Sequence, residues 1–260
     1  MNSTTETVTK DAASLQTGEE VVLRVHKLYK SFGNNHVLRE FSVALHQGEN
    51  LVVLGKSGSG KSVLIKCIIG LLEPDSGEIN VLGEDVLSLD SEELDRLRVK
   101  VGFLFQSNAL YDSMTVRENL EFPLRRHTIQ LDPKDELELV MEALANVGLQ
   151  HTLDTLPAEL SGGMRKRIAL ARTLILKPSI ILYDEPTTGL DPITSLEIIT
   201  LINKIREKYG TSALIISHDM NCVRRTADRI AVLVDGRCEA LGTYEELLRI
   251  EDQNISPFFH

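Results

Sequence analysis

Residues 55–62, GKSGSGKS, constrain this chain more than any other stretch. They meet the spacing G-x-x-x-x-G-K-[ST] without a gap. Glycines let successive backbone N–H groups turn toward one point, and a helix starting there adds the positive end of its dipole, so such a loop suits phosphate. The flanks agree with that use. Residues 21–53 alternate as strands around the turn signal Gly33-Asn34-Asn35, and residues 61–72 put Leu64, Ile65, Ile68, Ile69 and Leu72 on one helical face. Gly55, Lys56, Ser57, Gly58, Ser59 and Gly60 then form the cradle, Lys61 reaches the terminal phosphates, and Ser62 holds Mg2+.

Further along, a strand is expected at 77–82, and the apolar run 99–105 reads as a strand buried on both faces. Residues 134–147 carry Leu137, Val140, Leu144 and Val147 at helical spacing, so the stretch from 106 to about 160 reads as a mostly helical insert. The last third alternates helix 162–177, strand 180–184, helix 192–209, strand 213–217, helix 220–227 and strand 229–234. That alternation indicates a parallel sheet with helices on both faces. No internal repeat is visible, so the chain carries one phosphate-binding unit.

ILYDE, residues 181–185, ends a buried strand in two carboxylates. Asp184 suits the water shell of Mg2+, which prefers few protein carboxylates. Glu185, one step further, can address a water in line with a terminal phosphate as general base or orienter. Together with the glycine loop this defines a P-loop NTPase. LSGGMRKR, residues 160–167, lies between the two motifs. Ser161, Gly162 and Gly163 lead into a helix with Ile168, Ala171, Leu174 and Ile175 on its apolar face, a second helix terminus suited to an anion.

LSGG ahead of ILYDE resembles the signature of ABC-type ATPase subunits. The resemblance covers residues 21 to about 245 and implies, for a domain at 21–250, an α/β fold: a P-loop NTPase core whose mostly parallel sheet is flanked by helices, an antiparallel β subdomain, and a helical subdomain at about 107–175. It also implies ATP and Mg2+ as ligands. In a head-to-tail homodimer, Ser161, Gly162 and Gly163 of one copy would close over ATP held by the glycine loop of the other. Gln106, after VGFLF, matches the Q-loop and is implied to touch Mg2+ or the attacking water. Gly189-Leu190-Asp191 matches the D-loop, with Asp191 at the dimer seam beside ATP. His218 in IISHD matches the switch histidine, implied to hold the terminal phosphate and Glu185. Phe32 in YKSFG falls where an adenine-stacking aromatic is expected, with Tyr29 as its rival. Glu185, His218 and Gln106 form the candidate catalytic set; Ser62, Gln106 and Asp184 form the candidate metal set.

Met164 stands where Gln is usual after LSGG, and Lys56 where Pro is common. LSGGMRKRIALARTL, DEPTTGLDPIT and LFQSNALYDSMTVRENLEFPLR resemble the ATPases of Mla-type, MCE-associated lipid transporters. That resemblance implies phospholipid movement between cell-envelope membranes, a multispanning permease, an MCE-domain lipid-binding protein, and a peripheral position on the cytoplasmic face of the inner membrane. The permease would meet residues 107–126, through Leu110, Tyr111, Met114, Phe122 and Leu124. A solute importer or exporter ATPase would carry the same motifs. A soluble ABC ATPase outside transport would be expected to add tandem units, a coiled-coil insert or a basic patch.

Composition narrows the partners. A net charge of -10 disfavours a broad nucleic-acid-binding surface. Cys67, Cys222 and Cys238 lack CxxC spacing and read as free thiols of a reducing compartment. No apolar run approaches the roughly 20 residues of a membrane-spanning helix. The polar residues 1–20 read as a disordered tail, and residues 251–260 as a C-terminal extension.

Overall fold

The computed structural model describes residues 20–127 and 132–260. The tail expected at residues 1–20 lies, apart from Glu20, outside the described residues.

Strands β1 (Val21–Phe32) and β2 (Asn35–His46) form a hairpin around Gly33-Asn34, with Gly33 at φ +58°. β3 (Asn50–Leu54) is buried along its whole length. Its side chains alternate between two cores, Leu51 and Val53 in one and Val52 and Leu54 in the other, as the two-residue period of a central strand requires. α1 (Lys61–Ile68) adds Leu64, Ile65 and Ile68 to the first of these cores. It ends short of residue 72 because Gly70 turns the chain at φ +65°. β4 (Ser76–Val81) and β5 (Glu84–Asp85) complete an antiparallel sheet of order β2-β1-β4-β5 that shares that core.

The run 99–105 departs from expectation. Val99 belongs to α2 (Ser91–Lys100), which starts at a capping box between Asp90 and Glu93. The strand itself, β6 (Val101–Leu104), lies at the sheet edge, so Gly102 and Phe103 are only half-buried. α3 (Val116–Arg126), α4 (Pro133–Asn146) and α5 (Gly162–Leu174) pack Leu120, Val140, Leu144 and Ile168 into the second core. β7 (Ile180–Asp184), α6 (Pro192–Tyr209), β8 (Ser212–Ser217), α7 (Met220–Thr226), β9 (Arg229–Val234) and β10 (Arg237–Gly242) follow. The extension 251–260 folds back on its own chain: α9 (Ser256–Phe259) sets Phe259 edge-on to Tyr244 of α8 (Tyr244–Leu248), ring centroids 5.6 Å apart.

The larger sheet has the order β10-β9-β3-β8-β7-β6, with every pair parallel except β9–β10. Register aligns the strand ends. Leu54 lies opposite Ser217, and Asp184 opposite Ile216, so the loops after β3, β7 and β8 leave the sheet side by side. Ligands of open parallel sheets bind at this carboxyl edge.

A buried ion pair fastens the two sheets together. Arg229 of β9 donates through Nε to Glu49 Oε1 at 2.6 Å and through Nη2 to the Ala44 carbonyl of β2 at 2.8 Å, while Glu49 Oε2 accepts the His46 N–H at 2.7 Å. Removing one partner of such a pair strands the other charge. Glu49→Ala is expected to lower the unfolding free energy by about 3 kcal/mol, read as a shifted urea midpoint.

Candidate active site

The glycine loop follows β3 directly. Gly58 and Gly60 hold φ +80° and +104°, and a Cβ on Gly60 would lie 2.7 Å from Val37 Cγ1. α1 starts at Gly60 with no side-chain cap and no acid in its first turn, leaving its first N–H groups and positive dipole end free for an anion. Lys61 is buried beneath this turn. Its Nζ donates to the Gly55 carbonyl at 2.8 Å and the Lys56 carbonyl at 3.1 Å, and lies 3.4 Å from Glu185 Oε1.

Beside it, Ser62 Oγ donates to Asp184 Oδ1 at 3.1 Å. Burial holds the Asp184 carboxyl above the usual aspartate range, opposed in part by that hydrogen bond. A hydroxyl and a carboxylate of this kind are hard oxygen donors, and a divalent ion would relieve the buried charge, so the pair fits Mg2+. Among the described residues no cluster of three or more His, Cys, Asp or Glu side chains could hold a metal. An ion here would therefore complete its shell with water and phosphate.

Glu185 is the first residue past β7 and takes φ +50°, a left-handed conformation uncommon outside glycine. Its Oε2 lies 2.8 Å from His218 Nδ1 and accepts from Thr188 Oγ1 at 3.2 Å. His218 follows β8, so the parallel pairing of β7 with β8 brings the two side chains together. Thr187 Oγ1 donates to Asp219 Oδ2 at 2.9 Å, and Asp219 accepts the Asn221 N–H as the N-cap of α7. This link ties the loop after β7 to the loop after β8. Sequence reasoning assigned Thr187 and Asp219 no role, although both flank recognised motif residues.

Lys61, Ser62, Asp184, Glu185 and His218 thus form one cluster. The other candidates stand outside this cluster. Gln106, on the loop after β6, has an exposed side chain with no hydrogen bond among the described residues, while its backbone carbonyl accepts from Lys166 Nζ at 3.1 Å. Ser161 caps α5 by accepting the Met164 N–H at 3.2 Å, Gly162 is exposed, and Gly163 packs against Thr194. No hydrogen bond or ion pair among the described residues joins residues 161–163 to the glycine loop. Asp191 caps α6, and the Thr194 hydroxyl and N–H hold its carboxyl below the usual aspartate range. Phe32 is 51% exposed at the end of β1, with Tyr29 at 37%. Lys56, Ser57 and Gly58 are exposed on the glycine loop; the Ser59 hydroxyl is buried and has no hydrogen-bond partner among the described residues.

The family model described as ABC transporter matches residues 38–188. The chain is 39% identical over 240 residues to the probable ribonucleotide transport ATP-binding protein mkl of Mycobacterium tuberculosis, spanning 92% of this chain and 67% of that one. It is 36% identical over 237 residues to the intermembrane phospholipid transport system ATP-binding protein MlaF of Haemophilus influenzae, spanning 91% of this chain and 89% of that one. A dimeric ATP-binding cassette in a post-hydrolysis state, bound to ADP and Pi, superimposes with a TM-score of 0.78 at 32% identity, covering 85% of this chain and 98% of that one.

The glycine loop offers a direct test. Gly60→Ala puts a Cβ at a left-handed φ and against Val37. Binding of a fluorescent nucleoside triphosphate is expected to weaken about tenfold in titration, equivalent to about 1.4 kcal/mol of strain.

Proposed function

Because the chain belongs to the ABC transporter ATPase family, we propose that the ATP it hydrolyses powers phospholipid movement between cell-envelope membranes through a partner permease. The observation that carries the lipid assignment is the likeness to MlaF, which extends over 89% of that protein's length. The likeness to mkl, named for ribonucleotide transport, favours a second reading in which a solute is the cargo.

The hydrolytic step uses the cluster at the carboxyl edge of the sheet. Backbone N–H groups of residues 55–62 and the Lys61 ammonium bind the phosphates. Ser62 and Asp184, joined in this reading by Gln106, would hold Mg2+, which when bound would supply charge neutralisation at the phosphates. Glu185 orients the attacking water and accepts its proton. His218, 2.8 Å from that carboxylate, fixes its direction and addresses the terminal phosphate, since phosphoryl transfer is chiefly positioning and charge stabilisation. Phe32 or Tyr29 stacks on adenine.

The working unit in this reading is a head-to-tail homodimer. Ser161, Gly162 and Gly163 of one copy close over ATP on the other, with Asp191 at the seam, and hydrolysis removes the contacts that favour the closed state. The permease meets the surface around Tyr111 and Phe122, whose ring centroids lie 4.8 Å apart with the planes tilted by 53° and with Tyr111 exposed. One residue expected on that surface lies elsewhere, Leu124, which is 2% exposed within the second core; Leu110 is half-buried and packs against the same core. An MCE-domain protein would be the lipid-handling partner. No helix among the described residues is long and apolar enough to cross a membrane, so the permease provides the attachment to the cytoplasmic face of the inner membrane.

Glu185→Gln is expected to lower turnover at least about 100-fold while ATP binding persists and an ATP-dependent dimer accumulates in size-exclusion chromatography. Full turnover in that variant would sink the assigned role. For the cargo, purification of the tagged chain from detergent-solubilised membranes should recover a multispanning permease, an MCE-domain protein and phospholipid. A permease recovered with a solute receptor would overturn the lipid reading.

A further inference from the structure

Among the described residues the loop that carries Gln106 has one turn hydrogen bond of its own, from the Asn108 N–H to the Phe105 carbonyl at 3.1 Å. It leaves edge strand β6, and Asn108 and Ala109 both take left-handed φ, +66° and +51°. Its carbonyls are also met by side chains of one helix, α5. Lys166 Nζ donates to the carbonyls of Phe105 at 3.3 Å and Gln106 at 3.1 Å. Arg172 donates through Nη2 to Asn108 at 3.2 Å and through Nη1 to Ala109 at 2.8 Å.

Lys166 is the unusual member of this set. It is 2% exposed, and burying an ammonium costs several kcal/mol unless hydrogen bonds and nearby charge compensate. A Met or Leu of similar volume would fill the space without that cost. The compensation present is the pair of loop carbonyls and the field of the Asp184 and Glu185 carboxylates. A buried cation retained on such terms is worth explaining by what it holds in place.

We infer that Lys166 is a positioning residue for ATP hydrolysis: reaching from the signature helix, it pins the Gln106 loop by its carbonyls, so the signature and Gln106 travel as one piece. Lys166 lies five residues beyond Ser161, so α5 begins at the partner-facing signature and, between one and two turns later, grips the loop beside Asp184 and Glu185. Any rotation of α5 carries Gln106 with it. Lys166 touches no substrate in this scheme; it sets where Gln106 stands. The inference rests on the proposed role of Gln106 in hydrolysis.

The test uses full-length protein and four variants: Lys166→Met, Lys166→Gln, Gln106→Ala and the double variant Lys166→Met/Gln106→Ala. Lys166→Met is expected to lower kcat tenfold or more, with the Kd for ATP changed by less than about twofold, because misplacing a positioned group costs rate and not ground-state binding. Lys166→Gln, whose amide still donates to a carbonyl, should recover most of that rate. The double variant should be no slower than Gln106→Ala, since two residues acting through one loop do not add. Additive losses, or a kcat unchanged in Lys166→Met, would overturn the inference. Hydrogen exchange at residues 105–109 separates it from the reading it rests on. Faster exchange in Lys166→Met together with full activity in Gln106→Ala would reject Gln106 as a hydrolytic group and, with it, the catalytic part of this inference. Unchanged exchange would reject the anchor itself. If Lys166→Met fails to fold, Arg172→Gln, which loosens the same loop at residues 108–109, takes its place with the same expected outcomes.

Discussion

Parallel pairing among β3, β8 and β7 is the constraint from which the site follows. These strands end at a common edge, so the residues just beyond them are neighbours in space although 122 positions separate Ser62 from Asp184 and 33 separate Glu185 from His218. Ser62 can reach Asp184, and His218 can reach Glu185, only while that register holds. A slip of one residue would turn each carboxylate to the opposite face of the sheet. The fully buried side chains of β3 and β7, shared between two cores, make such a slip costly.

Charge is arranged around that edge so that the cluster is incomplete without its ligand. Lys61 rests on carbonyls and a carboxylate, Asp184 is buried beyond what its hydrogen bond offsets, and α1 presents uncapped N–H groups. A phosphate with a divalent cation would supply the missing countercharges together. The helices near the signature differ in kind. Ser161 and Asp191 each cap their own helix, so part of the anion affinity of these termini is already satisfied from within the chain.

Much of this was legible before any coordinates, for reasons that differ by residue. The glycine loop and ILYDE are contiguous motifs whose chemistry is set by local spacing, and β7, α6 and β9 match their expected bounds because hydrophobic period and caps agree there. α2 escaped notice because its residues are mostly charged and its signal is a capping box, not an apolar stripe. Leu124 read as surface because an amphipathic helix does not reveal which face meets its neighbours. Lys166 was invisible as a functional residue. Its partners lie about 60 positions earlier and are backbone carbonyls, which carry no side-chain signature.

The place of β3 in the larger sheet also sets an order of events at the ribosome. Its two partners, β8 and β9, are not made until residues 217 and 234 have been added, so the strand that supports the glycine loop waits through most of synthesis with its edges open. Long-range pairing of this kind is slow, and exposed apolar strands invite misassembly meanwhile. The hairpin of β1 and β2 closes early and can shelter one face of the β3 segment through Phe41 and Leu45. Nucleotide can therefore stabilise the nascent chain only once β8 has been added, and a chain cut before residue 212 would hold every residue of the glycine loop with neither strand partner of β3 in place.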